Sequence, residues 1–271
     1  ISNPSFVAVS PDEKFVYSVE EDAANNGKEG EVSAFSFNKE TGKLSFLNRK
    51  PTGGDHPCYV SVDKTGRWVA AGNYSSGSLS LMPVLADGSL GTATSIIRHE
   101  GSGPNIGRQA SPHVHGTFFS PDNRFLFVPD LGIDKVMIYA FDETTGKLTT
   151  AKQAFAESLP GSGPRHISFH PSNKYAYLMQ ELSGTVTAFK YKNGKLKSRQ
   201  IISSMPAGDT SFAGSADIHV SPDGKFLYAS NRAESNTIAI FSINQKNGKL
   251  SPVGHQSTLG KTPRNFNFDP A

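Results

Sequence analysis

Residues 114–148 read VHGTFFSPDNRFLFVPDLGIDKVMIYAFDETTGKL, and this stretch decides the fold. Two runs rich in apolar side chains, residues 114–119 and 125–128, flank the turn Pro121-Asp122-Asn123. Proline followed by Asp or Asn suits a type I turn, and β-branched and aromatic side chains favour strands. The first half of the stretch therefore predicts two antiparallel strands.

A third strand and a hairpin complete the unit. Residues 135–141 alternate between the two faces of a strand, and Thr145-Gly146-Lys147-Leu148 turns into a fourth strand. Glycine accepts the positive φ that a tight hairpin requires. The same hairpin pattern occurs at Thr41-Gly42-Lys43-Leu44, Asn193-Gly194-Lys195-Leu196 and Asn247-Gly248-Lys249-Leu250.

The whole unit recurs five times, and a sixth begins at Asp269-Pro270. The steps between the second residues of successive turns are 53, 57, 50, 51 and 48 residues. A period near 50 residues with four short strands is the signature of β-propeller blades, and no helical period interrupts it. The turns are Ser10-Pro11-Asp12, Asp63-Lys64-Thr65-Gly66, Ser120-Pro121-Asp122, His170-Pro171-Ser172 and Ser221-Pro222-Asp223-Gly224.

Composition limits the function classes. One cysteine, Cys58, cannot form an internal disulfide, so burial must stabilise the fold. The net charge of +3 includes no polybasic stretch, which argues against nucleic-acid or membrane-surface partners. No apolar run reaches the length of a transmembrane helix. We predict one all-β propeller domain over residues 1–271.

The two ends of the chain suggest that the propeller is incomplete. Residues 1–12 begin at an innermost strand, and residues 265–271 stop inside another. Propellers close by pairing their termini, because an open ring leaves unpaired strand edges. We expect that roughly 100 residues, about two blades, are absent from this sequence, which leaves five to six blades.

Chemically useful side chains concentrate at one end of the predicted strands. In each unit the start of the first strand and the end of the second must lie together, because the strands are antiparallel. Starts and ends at this position carry His, Arg, Glu and Asp, whereas the opposite turns carry ordinary turn residues. This one-sided pattern predicts a small-molecule site at the mouth of a channel.

Four motifs carry a resemblance to a known family. Pro112-His113-Val114-His115, Gly163-Pro164-Arg165-His166, Ser215-Ala216-Asp217-Ile218-His219 and Asn231-Arg232 occur in this order on three successive units. Together with Gly72-Asn73-Tyr74 and Asp130-Leu131-Gly132, they resemble the lactonase family of seven-bladed propellers from Pro4 to Pro270. The resemblance implies hydrolysis of a sugar lactone, with 6-phosphogluconolactone of glucose metabolism and the pentose phosphate pathway as substrate.

The resemblance also implies a set of site residues. Its catalytic histidine, glutamate and two arginines fall on His115, Glu181, Arg165 and Arg232. We add the following neighbours as candidate substrate-binding residues: His113, Asn73, Asp130, Asp217, His219 and Arg264. We expect no cofactor and no metal, a small anionic lactone as partner, and a monomer or weak homo-oligomer in the cytoplasm. The incomplete N-terminus leaves a periplasmic location open.

The chemistry of these residue types is consistent with lactone hydrolysis. His115 could deprotonate water, since an unperturbed imidazole titrates near pH ~6.5. Glu181 could orient that imidazole, or act as the base itself if its pKa were raised in the channel. Guanidinium forks such as those of Arg165 and Arg232 bind phosphate or carboxylate and stabilise an oxyanion.

Structural explanations compete with these roles. Arg165 could bond carbonyls between blades, and Asp217 and His219 could anchor blade to blade. His113 and His115 could ligate zinc if His219 or Asp217 supplied a third ligand. Cys58 is expected to be a buried small residue. The glycine-rich loop over residues 100–111 lacks a following helix and is weak evidence for nucleotide binding.

Two alternatives to lactone hydrolysis remain open. One is a lactone-forming cycloisomerase, because the same base and arginines could close a ring on a dicarboxylate. The other is a non-catalytic propeller that binds a ligand or protein on the same face, since fold alone does not determine function.

Overall fold

In the computed structural model, residues 1–22 and 29–269 are described. Strands account for 50% of the chain and helices for 3%, which confirms the all-β prediction. The segment Asn25-Asn26-Gly27, whose composition predicts a polar loop, and the turn residue Pro270 lie outside the described residues.

The strands that the structure describes form five four-stranded antiparallel sheets, each in simple sequence order. This order is that of propeller blades, as the repeat predicts. Sheet 1 contains β1 (Val7–Val9), β2 (Phe15–Glu20), β3 (Glu31–Asn38) and β4 (Lys43–Pro51). Sheet 2 contains β5 (Pro57–Val62), β6 (Trp68–Asn73), β7 (Ser78–Pro83) and β8 (Ser95–Arg98). Sheet 3 contains β9 (Phe118–Phe119), β10 (Phe125–Asp130), β11 (Lys135–Asp142) and β12 (Lys147–Glu157). Sheet 4 contains β13 (Pro164–Phe169), β14 (Tyr175–Gln180), β15 (Thr185–Lys192) and β16 (Lys195–Ser203). Sheet 5 contains β17 (Ile218–Val220), β18 (Phe226–Asn231), β19 (Thr237–Ile243) and β20 (Leu250–Ser257).

The chain divides into two compact units. Unit 1 comprises Ile1–Ile133 with Met137–Phe155 and holds sheets 1 and 2 and most of sheet 3. Unit 2 comprises Asp134–Val136 with Ala156–Ala271 and holds sheets 4 and 5. The prediction that residues 1–271 form a single domain stays a prediction.

The hydrophobic core lies between consecutive sheets. In unit 1, one cluster joins sheets 1 and 2 and a second joins sheets 2 and 3. In unit 2, a cluster built around Tyr177, Leu227 and Phe241 joins sheets 4 and 5. The fourth strands, such as β4 and β20, are largely exposed, as expected for outer edge strands.

The turn between the first and second strands is built in the same way in sheets 1, 2, 3 and 5. A side chain before the turn accepts the N–H that opens the second strand, as when Phe125 N donates to Ser120 Oγ at 3.0 Å. In sheet 4 the His170 ring instead accepts Ser172 N, at 3.0 Å. The last residue of each turn has a positive φ, which Asn and Gly tolerate best. These residues are Glu13 (56°), Gly66 (70°), Asn123 (58°), Asn173 (58°) and Gly224 (72°).

The first strand of sheet 3 is shorter than predicted. The sequence predicts a strand over residues 114–119, but β9 spans only Phe118–Phe119, with an isolated bridge between Val114 and Asp130. Pro129 lies in the facing strand and has no N–H to donate to a ladder. The backbone near His115 therefore departs from regular strand geometry.

Within the described residues, two short helical segments also depart from the purely extended prediction. The insert at residues 100–111 contains a single helical turn, α1 (Ile106–Gln109). A 3-10 turn, Leu131–Ile133, follows β10. No helix in residues 1–22 and 29–269 is long and apolar enough to cross a membrane.

Aromatic side chains pack between consecutive sheets. The ring that opens a second strand packs on the glycine of the next sheet's outer hairpin, so a Cβ on that glycine would overlap the ring. The pairs are Phe15 with Gly88, Trp68 with Gly146, and Tyr175 with Gly248. Tyr177 adds a hydrogen bond of 3.0 Å from its hydroxyl to Gly248 O.

Gly248→Ala should destabilise the protein more than the equivalent change Gly42→Ala. Both glycines have a positive φ (72° and 67°), but a Cβ at position 42 has nothing within 4 Å, whereas one at 248 overlaps Tyr175. We expect a cost of about 1–2 kcal/mol for Gly42→Ala and about 1–3 kcal/mol more for Gly248→Ala. Denaturant unfolding of both variants measures the difference. Equal losses in the free energy of unfolding would show that the packing of Tyr175 on Gly248 does not stabilise the protein.

Candidate functional site

Strand pairing brings the predicted site positions together within each sheet. Pro57 pairs with Asn73, and Pro164 pairs with Gln180, so starts of first strands lie beside ends of second strands. In both sheets the register shifts at the next residues, between Pro57 and Tyr59 and between Pro164 and Ile167. Such irregularities change the direction in which side chains point. The irregularity in sheet 4 contains Arg165 and His166.

Unit 2 contains a carboxylate held between two arginines. Glu181 Oε2 lies 3.0 Å from Arg165 Nε and 3.1 Å from an NH2 nitrogen of Arg232. The side chains of Glu181 and Arg165 are 5% and 2% exposed, and that of Arg232 is 15% exposed. Three of the four predicted catalytic residues therefore form one nearly dry ion-paired cluster. Two adjacent cations favour the ionised carboxylate.

Arg165 is enclosed by protein on every side. Its NH1 nitrogen donates to Ala216 O at 2.6 Å, and the His166 ring lies against the same nitrogen. Burial lowers the pKa of Arg165 to about 10, although the charge of Glu181 opposes the shift. The guanidinium is therefore charged near neutral pH. The bond to Ala216 O links β13 to the segment that precedes β17.

Asp217 accepts hydrogen bonds from several side chains. Oδ1 accepts from His166 Nδ1 at 2.8 Å, and Oδ2 accepts from His219 Nε2 at 2.9 Å and from Asn265 Nδ2 at 2.7 Å. Burial alone would raise the pKa of Asp217, but the bonds from His166 and His219 lower it well below its ordinary value. Asp217 thus anchors sheet 4 and the segment after sheet 5 to β17. Asn265 is a partner that sequence reasoning missed, because nothing local marks it.

Arg264 and His219 lie beside this network and are more open. Arg264 is half-buried, and its like charge contributes to the lowered pKa of Arg165. The His219 side chain is 32% exposed and packs edge-on against Phe266, with ring centroids 4.9 Å apart. The roles of Asp217, His219 and Arg264 in binding a substrate stay predictions.

Unit 1 contains a cluster of aromatic rings. The His113 ring stacks on Tyr74 with centroids 4.4 Å apart and an angle of 11°, and the His115 ring meets Tyr74 edge-on at 5.2 Å. His115 is buried, and its Nδ1 lies 3.6 Å from Cys58 Sγ. Cys58 is buried, as predicted. His115 belongs to unit 1, so its meeting with the arginines of unit 2 stays a prediction.

Asn73 and Asp130 are fully buried at the ends of their strands. The Asn73 amide donates to Ser78 Oγ at 3.0 Å, within its own sheet. Asp130 accepts His113 N at 2.7 Å through Oδ1 and pairs with His99 Nδ1 at 2.7 Å through Oδ2. Such burial disfavours direct contact with a substrate and suits a supporting role. His99 is a second partner that the sequence did not reveal.

The zinc alternative finds no support in the geometry. Within residues 1–22 and 29–269, no group of three or more His, Cys, Asp or Glu side chains is arranged to hold a metal ion. His219 and His166 instead direct ring nitrogens at Asp217.

The fold agrees with the comparisons to known proteins. A model of the family described as lactonase, 7-bladed beta-propeller, matches residues 1–271. The chain belongs to this family, which confirms the resemblance and the propeller fold.

Relatives and solved structures are similar over the whole chain. A 6-phosphogluconolactonase of Bacillus subtilis is 40% identical over 273 residues, which cover 100% of this chain and 75% of the relative. A second 6-phosphogluconolactonase, of Formosa agariphila, is also 40% identical, with 100% and 76% covered. The structure of a periplasmic gluconolactonase of Pseudomonas aeruginosa has a TM-score of 0.93 at 36% identity, with 100% and 76% covered.

Glu181→Gln should destabilise unit 2. The change leaves the buried charge of Arg165 without its carboxylate, and breaking a buried ion pair costs roughly 3–5 kcal/mol. Glu13→Gln is the matched control, because Glu13 pairs with Lys39 on the surface and should cost less than about 1 kcal/mol. Thermal or denaturant unfolding measures both variants. A cost for Glu181→Gln as small as that of the control would show that the ion pairs are not structural.

Proposed function

We propose that this protein hydrolyses 6-phosphogluconolactone to 6-phosphogluconate. The observation that carries the proposal is the Arg165–Glu181–Arg232 cluster, with both arginines within 3.1 Å of one buried carboxylate. It occurs in a chain that is 40% identical to two proteins named 6-phosphogluconolactonase. Membership of the lactonase family supports the same reaction.

Lactone hydrolysis sets three chemical requirements. A water molecule must lose a proton as it attacks the ester carbonyl, the carbonyl oxygen gains negative charge, and the ring C–O bond then breaks. The ring oxygen leaves with a proton, and the product is an open hydroxy acid. The catalyst therefore needs a base, an oxyanion donor and a proton donor.

His115 and Arg232 are our candidates for these roles. His115 takes the proton from water as it attacks and returns it to the ring oxygen. Arg232 is the more exposed arginine of its cluster, and its guanidinium stabilises the oxyanion. Glu181, paired with two cations, holds both arginines in position, and Arg165 supports Glu181 from within.

The remaining expectations form part of the proposal. We infer that the enzyme acts in carbohydrate metabolism, in the pentose phosphate pathway, without cofactor or metal, as a monomer or weak homo-oligomer. The cytoplasm is the proposed location, since the two curated relatives carry the name of a sugar-phosphate enzyme. The similar Pseudomonas aeruginosa protein is named as periplasmic, so localisation of the full-length protein tests this part.

His115→Asn should lower kcat for 6-phosphogluconolactone about a hundredfold or more, because asparagine cannot accept the proton of water. The variant should also lose the acid limb of the pH profile, where protonation of the imidazole removes the base. Hydrolysis is followed with a correction for the spontaneous reaction. His255→Asn on the outer strand β20 is the control and should keep the wild-type profile.

Full activity of His115→Asn would refute its role as base. An inactive wild-type protein would refute the hydrolase and favour the cycloisomerase or a binding propeller.

Arg232→Lys should lower kcat by about 10²-fold with little change in KM. Lysine keeps a positive charge but loses the planar fork that fits an oxyanion in the transition state. Steady-state kinetics on the folded variant separate the two parameters. An effect confined to KM would instead indicate that Arg232 binds an anionic group of the ground-state substrate.

A further inference from the structure

An arginine of the 100–111 insert lies against the aromatic cluster of unit 1 and has no role in the proposed reaction. An NH2 nitrogen of Arg108 donates to the Tyr74 hydroxyl at 3.2 Å, and Tyr74 carries the stacked ring of His113. Arg108, Tyr74 and His113 are all half-buried, so each presents part of its surface to solvent. We call these three residues the Arg108 cluster.

The insert holds Arg108 in place through its neighbour. Gln109 is fully buried, and its Nε2 donates to Leu131 O at 2.8 Å while its Oε1 accepts Asn105 N at 3.1 Å. The main chain adds a bond of 2.9 Å from Gly103 N to Gln109 O. A side chain this well anchored fixes the helical turn that carries Arg108. The guanidinium of Arg108 is therefore held in a defined position, although Arg108 lies in a loop.

The aromatic part of the cluster is equally well positioned. His113 Nδ1 lies 3.0 Å from the carbonyl oxygen of Tyr74, so this nitrogen must carry the proton and donate. His113 N is bonded to the buried carboxylate of Asp130 at 2.7 Å. In the neutral ring, Nε2 then remains as an acceptor suited to a sugar hydroxyl.

We propose that Arg108, oriented by Tyr74, binds the phosphate group of the sugar lactone and gives the enzyme its preference for phosphorylated over unphosphorylated lactones. The inference rests on the proposed function. Guanidinium forks bind phosphate bidentately, and the Tyr74 hydroxyl orients the fork of Arg108 by accepting a hydrogen bond from it. Arg165 does not suit this role, because it is enclosed and bonded to Glu181 and Ala216.

Arg108→Gln tests the proposal through the ratio of kcat/KM for a phosphorylated lactone to kcat/KM for an unphosphorylated one. We measure kcat/KM for 6-phosphogluconolactone and for unphosphorylated gluconolactone, corrected for spontaneous hydrolysis, and divide the first by the second. Loss of a charged hydrogen-bond partner should lower this ratio about 10- to 100-fold, chiefly by raising KM for the phosphorylated lactone. Arg108→Lys should give a smaller loss, since lysine keeps the charge without the fork.

Two further variants serve as comparisons. Tyr74→Phe keeps the ring that stacks on His113 but removes the hydroxyl, so it should lower the ratio less than Arg108→Gln. Arg124→Gln removes a surface arginine that pairs with Asp122 and is 61% exposed, and it should leave the ratio unchanged.

Two kinetic results would overturn the inference. An unchanged ratio in Arg108→Gln would show that Arg108 does not recognise phosphate. An equal loss of kcat/KM for both lactones would show that Arg108 only supports the insert.

Calorimetric binding of the products separates this inference from the proposed function. Wild-type protein should bind 6-phosphogluconate more tightly than gluconate, and Arg108→Gln should remove the difference. This measurement needs no catalysis, so it decides the role of Arg108 even if the protein hydrolyses neither lactone. Equal affinities in the wild type would contradict the inference.

Discussion

The packing of an aromatic ring on a hairpin glycine of the next sheet is the contact on which the sheet-to-sheet arrangement within each unit depends. Tyr175 on Gly248 is one case, and Trp68 on Gly146 is another. A glycine at this place serves two purposes, because it turns the hairpin with a positive φ and leaves room for the ring. The hydroxyl of Tyr177 and the indole of Trp68 also bond to main-chain oxygens of that hairpin. The same aromatic side chains thereby pack in the core and hold the main chain of the hairpin.

Local signals account for the part of the fold that could be predicted from the sequence. Pro121-Asp122-Asn123 and Asn193-Gly194 determine backbone geometry by themselves, so turns and outer hairpins appear where the pattern places them. The failure over residues 114–119 arises from pairing. Whether that run forms a ladder depends on the facing strand, where Pro129 cannot donate a hydrogen bond. The helical turn Ile106–Gln109 depends on the burial of Gln109, which no periodicity signals.

In the candidate site, too, some features could be predicted from the local sequence and others depend on neighbouring elements. The strand-end pattern placed Arg165, Glu181 and Arg232 at one mouth and the family resemblance implied their catalytic roles; within unit 2 they form one cluster. Their individual orientations could not be predicted. Arg165 is turned inward by a register irregularity and by the carbonyl of Ala216, which lies in the segment before β17. Contacts that depend on a neighbouring sheet leave no mark on the local sequence.

Buried aspartates connect this framework to the candidate chemistry. Asp130 bonds the main chain of His113, and Asp217 bonds the ring of His166 beside Arg165. Each carboxylate is almost completely enclosed, so its charge requires several donors, and those donors include groups of the candidate site such as His113 and His219. Because an unpaired buried carboxylate is costly, the donors cannot move away without loss of stability. The demand for paired charges therefore holds His113, His166 and His219 in place before any substrate binds.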